Sequence, residues 1–331
     1  MGWLDLSSPA PRFSRRYWLR LAIFSAVVWP LASLGLLGYL IYSQVQVFAT
    51  PVRNTNIGTH RAISALYHDV VLITSDGLKI AGWHIPGSRP DGIILVHGLN
   101  TNRAAMLPQA GAPAEAGYHL LLIDLRGHGL SEGTEVTYGY REAFDVLTGV
   151  DFLMGLPNIR KVGALGISLG GAAVARAAAL DPRLSAVVIE GSYSSLADAV
   201  EDAFDELSIF SKWPFAPLLI ALTERRLRLD ISQVNSARDL ATIHPRAVMI
   251  IHGDGGLFPR RHARKMFAVA QEPKELWLLD SFGQGNPVIG RKEQYKRRVT
   301  AFFDRAFAAD VKAREGSLMK SLSGDRQEMH L

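Results

Sequence analysis

The sequence predicts an α/β fold: a mostly parallel central sheet covered by helices on both faces, preceded by one apolar helix. Three observations carry this. Short, continuous apolar runs alternate with helical segments along most of the chain, as expected of strands buried on both faces. Residues Gly166-Ile167-Ser168-Leu169-Gly170 read G-x-S-x-G and stand between such a run and an Ala-rich helical run, the strand–turn–helix setting that this motif needs. Leu21 to Tyr42 is uncharged and almost wholly apolar, and a bilayer crossing takes about 20 such residues.

Residues 1–20 form a basic N-terminal segment with Arg12, Arg15, Arg16 and Arg20. Residues 21–42 then read as a transmembrane anchor. Pro30 lies mid-span, which a membrane helix tolerates, and Trp18, Tyr39 and Tyr42 suit the interfaces. Only Arg53 and Arg61 follow the span closely, so the positive-inside rule places the N-terminus in the cytoplasm and the domain on the extracytoplasmic side. A cleaved signal peptide is the rival reading, because Val47-Phe48-Ala49 resembles a small-residue cleavage site. The apolar stretch exceeds the roughly 7–15 residues of a signal h-region, which favours the anchor. Residues 43–66 read as a linker.

The main domain is expected over residues 67–310. Asp69 to Thr74 and Lys79 to Ile85 read as two strands around the turn Ser75-Asp76-Gly77. Gly92 to Val96, His119 to Ile123, Lys161 to Leu165, Leu184 to Ile189 and Ala247 to Ile251 are continuous apolar runs, and Glu275 to Leu279 is the last strand. Helices are predicted over Ala104 to Ala116, Tyr140 to Met154, Leu169 to Ala179, Pro259 to Ala270 and Lys292 to Ala309. Residues 195–244 interrupt this rhythm. They hold an acidic helix, Ala197 to Glu206, then Trp213-Pro214-Phe215, an apolar helix at Leu218 to Leu222, and Arg225, Arg226 and Arg228. An insertion this long usually has structure or function of its own, and it reads as a helical cap. Residues 311–331 form a polar tail.

Composition narrows the function classes. There is no cysteine, which excludes disulfides, thiolate metal sites and a cysteine nucleophile. The net charge of +5 owes much to the N-terminal arginines, and no zinc-finger spacing, phosphate loop or basic stripe with interleaved aromatics points to nucleic acid. No metal and no organic cofactor is implied.

The blocks around the motif carry a specific resemblance. Ile94-Leu95-Val96-His97-Gly98-Leu99-Asn100, Leu122-Ile123-Asp124-Leu125-Arg126-Gly127-His128-Gly129-Leu130-Ser131, Gly166 to Gly170, and the strand-closing His252-Gly253 follow in the order seen in the α/β-hydrolase superfamily, and the chain resembles its membrane-anchored single-domain serine hydrolases. The resemblance implies that Ser168 is the nucleophile and that the backbone N–H groups of Leu99 and Leu169 form the oxyanion hole. Asp124 and Arg126 read as structural. The family's acid position, four residues after His252, is here Gly256, and Asp254 is the only carboxylate in that segment. The position of the family's catalytic histidine is Asn286, within Phe282-Gly283-Gln284-Gly285-Asn286. Asparagine has no titratable nitrogen near neutral pH and cannot take the serine proton. His128, on a loop at the sheet's active edge, is the surrogate base to consider.

Two readings stay open from sequence. One is a serine hydrolase of the carboxylic ester or thioester type, with a retained elbow and a degraded His/Asp relay. The other is a catalytically inactive hydrolase-fold binding or scaffold protein at the membrane. The cap's apolar residues Trp213, Phe215, Leu218, Leu219 and Leu222 suggest a hydrophobic small-molecule or acyl ligand, and a packed cap core explains the same residues.

Overall fold

The computed structural model describes residues 14–57, 67–207, 212–254, 257–280, 291 and 293–309, the side chains of 204–207 and 212–214 excepted. The chain divides into two compact units, Met1–Val47 and Phe48–Leu331. The described part of the first is helical throughout from Arg15. This helix, α1 (Arg15–Ala49), runs unbroken through Pro30 into the first two residues of the second unit. It is long and apolar enough to cross a membrane, with an 18-residue window of mean hydropathy 2.0.

The second unit is built on eight strands: β1 (His68–Ile73), β2 (Lys79–Ile85), β3 (Asp91–Val96), β4 (His119–Ile123), β5 (Lys161–Ile167), β6 (Leu184–Glu190), β7 (Ala247–Gly253) and β8 (Lys274–Leu279). They form one sheet in the order β1-β2-β4-β3-β5-β6-β7-β8. β1 and β2 make the predicted hairpin, with Ile73 opposite Lys79 and Gly77 turning the chain at φ +87. β2 also runs antiparallel to β4, and every later pairing is parallel.

Alternate residues of the central strands feed opposite cores, which is why they read as unbroken apolar runs. Ile94 and Val96 of β3 enter one core together with α3 (Glu142–Met154), α4 (Leu169–Leu180), α7 (Ser236–Ala241) and α8 (Arg261–Val269). Ile93 and Leu95 enter the other, with α2 (Leu107–Glu115) and the last helix, α9, residues 293–309. Each buried side chain of this size contributes about 1.5–3 kcal/mol, so both faces of the sheet are strongly specified. The helix expected at Ala104 to Ala116 starts as a 3-10 turn, Arg103–Met106, capped by the Asn102 side chain.

The insertion after β6 forms α5 (Leu196–Leu207) and α6 (Lys212–Leu227). α6 starts well before the expected Leu218, because Pro214 occupies its first turn, where no N–H is needed. Leu196, Ala199, Val200, Leu227 and Leu229 build a third core with Tyr193 and Ala172. Ala237, Leu240 and Ile243 return to the main core. Residues 48–57 also lie on this unit: Arg53 donates to the carbonyls of Gly129 (3.2 Å) and Ser131 (2.5 Å).

Candidate active site

β5 ends at Ile167 and α4 starts at Leu169, so Ser168 alone makes the turn. Its backbone sits at φ 52, ψ −115, a conformation that costs a residue with a side chain about 1–3 kcal/mol. The surroundings hold it there. Ser168 N–H donates to the Glu190 carbonyl (2.9 Å), and Ser192 Oγ donates to the Ser168 carbonyl (2.7 Å). A Cβ at Gly166 would lie 2.2 Å from the Gly170 carbonyl oxygen, and one at Gly170 would lie 2.4 Å from that of Val96. Helix α4 can therefore close on the sheet only with glycine at both places. Ser168 is partly exposed, at a helix N-terminus where free N–H groups favour negative charge.

The loop after β3 faces this turn: a Cβ on Gly98 would stand 3.4 Å from Ser168 Cβ. His97 anchors it. Leu125 N–H donates to His97 Nε2 (3.0 Å), so the ring's proton is on Nδ1, which donates to the Gly98 carbonyl (2.6 Å). The ring is fully buried, and burial pushes its pKa down to about 3, so it stays neutral. Thr101 Oγ1 donates to the same carbonyl (2.9 Å). Asn100 Oδ1 accepts from Val52 N–H (2.8 Å), and Asn102 Nδ2 donates to the carbonyls of Asn54 (3.0 Å) and Asn56 (3.2 Å). Leu99 thus directly precedes a stretch, Asn100 to Asn102, that is tied to the segment following α1. Among the described residues, neither the Leu99 nor the Leu169 N–H is taken by a loop, cap or side-chain partner. Donors left open in this way are what a developing oxyanion requires.

Asn286 and Gly256 lie outside the described residues. Asp254 follows β7 in a turn, with its side chain 58% exposed and its carboxylate on Arg260 (2.7 Å). His128 is fully buried, packed edge-to-face on His97 with ring centroids 5.2 Å apart. Its Nδ1 donates to the Arg126 carbonyl (2.9 Å), which leaves Nε2 as the lone-pair nitrogen, the tautomer a base needs. That nitrogen is buried without a hydrogen-bond partner among the described residues, and no bond joins it to Ser168. Asp124 and Arg126 serve the frame: Asp124 accepts from the Arg103 and Leu130 N–H groups, and Arg126 pairs with Asp145 and Asp76. Among the described residues, no cluster of His, Asp or Glu is placed to hold a metal ion.

Comparison with known proteins agrees with the fold. Residues 92–222, from β3 through the elbow into the cap, match a family model described as alpha/beta hydrolase fold. The chain has the α/β-hydrolase fold. The hydrolase-fold unit is similar to the Pyrococcus furiosus esterase Pf2001, at 26% identity and a TM-score of 0.62, over 77% of this chain and 98% of the esterase. An uncharacterized protein of Mycobacterium tuberculosis is 29% identical over 229 residues, 67% of this chain and 73% of its own. Polyketide transferase ATR5 of Stachybotrys chlorohalonatus is 26% identical over 289 residues, covering 72% of this chain and 96% of its own.

Two polar groups of this fold escape a reading of the sequence. Glu190 ends the apolar run of β6 with its carboxyl fully buried, and burial pushes its pKa up to about 7. Tyr295 Oη donates to Oε2 (2.5 Å), and Gln109 Nε2 lies 3.4 Å from Oε1. The only local signal is a carboxylate where the run should end in another apolar residue. At the base of the cap, buried His262 of α8 donates from Nε2 to Asp202 of α5 (2.6 Å), and its Nδ1 accepts from Ser194 N–H (3.1 Å). This fastens α5 to α8.

Beneath α6 lies a partly open apolar hollow of about 30 Å³, lined by Phe48, Tyr138, Val200, Leu219, Leu227 and Leu229 among others. Of the cap residues expected to meet a ligand, Leu219 lines this hollow, whereas Leu218 and Leu222 are exposed on the other side of the helix. The Trp213 side chain lies outside the described residues.

Proposed function

We propose that this chain is a membrane-tethered serine hydrolase of the carboxylic ester or thioester type, with an intact elbow and a weakened relay. The observation that carries the reading is the strained turn at Ser168, held between the Glu190 carbonyl and the Gly98 loop. Nothing in the packing of a helix onto a sheet requires a serine at such backbone angles, and strain of this kind clusters at reacting groups.

In this reading Ser168 Oγ attacks the acyl carbonyl, and the Leu99 and Leu169 N–H groups donate to the oxygen as it gains charge. The alcohol or thiol leaves with a proton, and water then releases the acid from the acyl-serine. Asn286 cannot serve as the base, so turnover rests mainly on the oxyanion hole and substrate binding. Such a residue typically retains roughly 10³–10⁴-fold over water. The anchor runs over residues 21–42, roughly 33 Å of helix against a hydrocarbon core of about 30 Å. The N-terminal arginines support an orientation with the N-terminus in the cytoplasm and the hydrolase unit on the extracytoplasmic side. The apolar lining of the hollow under α6 favours a hydrophobic or acyl ligand, of which this space takes only a small group.

Asn286 itself favours a second reading, a binding protein that holds such a ligand without turning it over. Hydrolysis of p-nitrophenyl and thioester acyl substrates by the full chain, compared with Ser168→Ala, separates the two. Slow release that vanishes in the variant supports the hydrolase, and equal release condemns it.

A further inference from the structure

The Leu99 N–H, open at one end of its peptide unit, is gripped at the other. The carbonyl of Gly98 belongs to that same unit. It accepts from His97 Nδ1 (2.6 Å) and from Thr101 Oγ1 (2.9 Å). Two bonds on the oxygen fix the peptide plane, and they polarise the amide so that its N–H donates more strongly. The next residue, Asn100, stands at φ +60, a left-handed conformation that asparagine adopts more readily than most residues with a side chain. The donor therefore sits between a carbonyl held by two bonds and a backbone turn that has to be kept left-handed.

A segment from far upstream keeps that turn. Asn100 Oδ1 accepts from Val52 N–H (2.8 Å). Asn102 uses both ends of its amide: Oδ1 accepts from Ala104 N–H (3.0 Å), and Nδ2 donates to the carbonyls of Asn54 (3.0 Å) and Asn56 (3.2 Å). The upstream segment is pinned in turn on the loop after β4 and on the chain leading to α3. Pro51 is buried, and its Cγ lies 2.9 Å from where a Cβ on Gly127 would stand. Arg53 Nη2 donates to the Gly133 carbonyl (2.5 Å), beside the Nη1 bonds to Gly129 and Ser131. Val136 N–H donates to the Ala49 carbonyl (2.9 Å), and Tyr138 Oη donates to that of Phe48 (2.8 Å). A loop from a strand to a helix closes without such ties. Here Asn100 and Asn102 commit their side chains to partners 46 and 48 residues away.

We propose that residues 51–56 are a strap joining the loops after β3 and β4, and that Asn100 and Asn102 are positioning residues through which the strap aims the Leu99 N–H at the oxyanion formed on Ser168. This deepens the hydrolase reading and rests on it for what the donor does; the hold of the strap on the loop does not depend on turnover. The loop stands close to the elbow, with a Cβ on Gly98 3.4 Å from Ser168 Cβ, so a shift of the loop displaces the donor from the reacting oxygen. A displacement of about 1 Å costs roughly 10²-fold in rate, and loss of an oxyanion donor costs about 10²–10³-fold. The donor acts on charge that develops only in the transition state. Loosening the strap therefore lowers kcat and leaves KM in place.

The test uses the full chain in detergent micelles. Acylation of Ser168 by p-nitrophenyl acetate is followed beside hydrogen exchange of peptides spanning residues 97–106, read by mass spectrometry. Asn102→Asp keeps the acceptor that caps Ala104 and sets a carboxylate oxygen against the carbonyls of Asn54 and Asn56. It should slow acylation by roughly tenfold at unchanged KM, part of the loss expected on removing an oxyanion donor, and it should speed exchange in residues 97–106. Asn100→Gly keeps the left-handed backbone and loses the acceptor, and it should do the same. Asn100→Asp retains the acceptor and should restore both readouts. Val150→Ala, on the buried side of α3, is the stability control: it should lower Tm and leave the rate and the loop exchange unchanged. Val52→Pro removes the donor from the strap side and keeps the test open if a loop variant fails to fold. A wild type that leaves Ser168 unacylated would sink the hydrolase reading alone, because loop exchange still decides whether the strap holds the donor peptide. Equal loop exchange in wild type, Asn102→Asp and Val52→Pro, or acylation by these variants at the wild-type kcat, overturns the proposal.

Discussion

The backbone N–H of Ser168 donates to the carbonyl of Glu190 at 2.9 Å, so the turn that presents the serine hangs on a residue whose own carboxyl is buried against Tyr295. The first prediction follows from this carboxyl. In the folded chain it keeps its proton to about pH 7, whereas its ordinary value is 4.5. The native state thus binds more protons between those pH values. The stabilisation is complete below about pH 4.5 and is lost as pH rises through 7, on the order of 3 kcal/mol. Melting temperatures of Glu190→Gln and wild type, measured from pH 4.5 to 8, should converge in slope at the extremes and differ between. Parallel curves throughout would show that Glu190 does not carry the proton.

Strain at Ser168 makes a second, separable prediction. Glycine adopts positive φ without the steric cost that a Cβ incurs. Ser168→Gly should therefore melt above Ser168→Ala, by about 1–2 kcal/mol after the glycine's own entropic loss. Chemical denaturation of the two variants measures this. An alanine variant as stable as the glycine one would mean that the turn is not strained.

The elbow was legible because its requirements are local. The glycines at 166 and 170 are needed for close approach of two consecutive elements, and the motif spells them out. The alternation of Ile93 to Val96 between two cores was legible as a buried strand, although which residue faces which core was not. Glu190 and Tyr295 are 105 residues apart, and His262 and Asp202 are 60 apart. No short window shows such pairs. The linker was read as a spacer because Arg53 and Asn54 look like ordinary polar residues until their partners at Gly129, Ser131 and Asn102 are seen. The two faces of α6 were invisible for a different reason: a helix apolar all round carries no pattern that says which side is covered.

That docked segment gives a third prediction. A soluble form starting at Phe48 keeps the bonds of Arg53, Val52, Asn54 and Asn56 to the loops around Leu99 and Gly129, and a form starting at Tyr67 loses them. At about 0.5–1.5 kcal/mol for each net bond, the shorter form should be less stable by ~3 kcal/mol. Urea midpoints of the two forms provide the comparison, and equal midpoints would show that the segment merely lies on the surface.

Repair of the relay gives the fourth. Asn286→His supplies an imidazole and Gly256→Asp the carboxylate to orient it, a partner worth about 10⁴-fold in kcat in a worked protease case. Groups that act as a unit are not additive, so each single change should do little and the pair should raise ester hydrolysis. Ser168→Ala in the repaired chain should abolish the gain. A wild-type rate already typical of serine hydrolases would mean that a working base exists elsewhere, with His128 the first to replace.

The most direct measurement is reaction of the full chain with a fluorophosphonate, read by intact mass and peptide mapping. The account predicts a single adduct at Ser168, absent in Ser168→Ala and formed faster in the Asn286→His, Gly256→Asp chain. A chain that stays unmodified under prolonged exposure, with its fold intact by circular dichroism, would contradict the claim that this elbow carries a nucleophile.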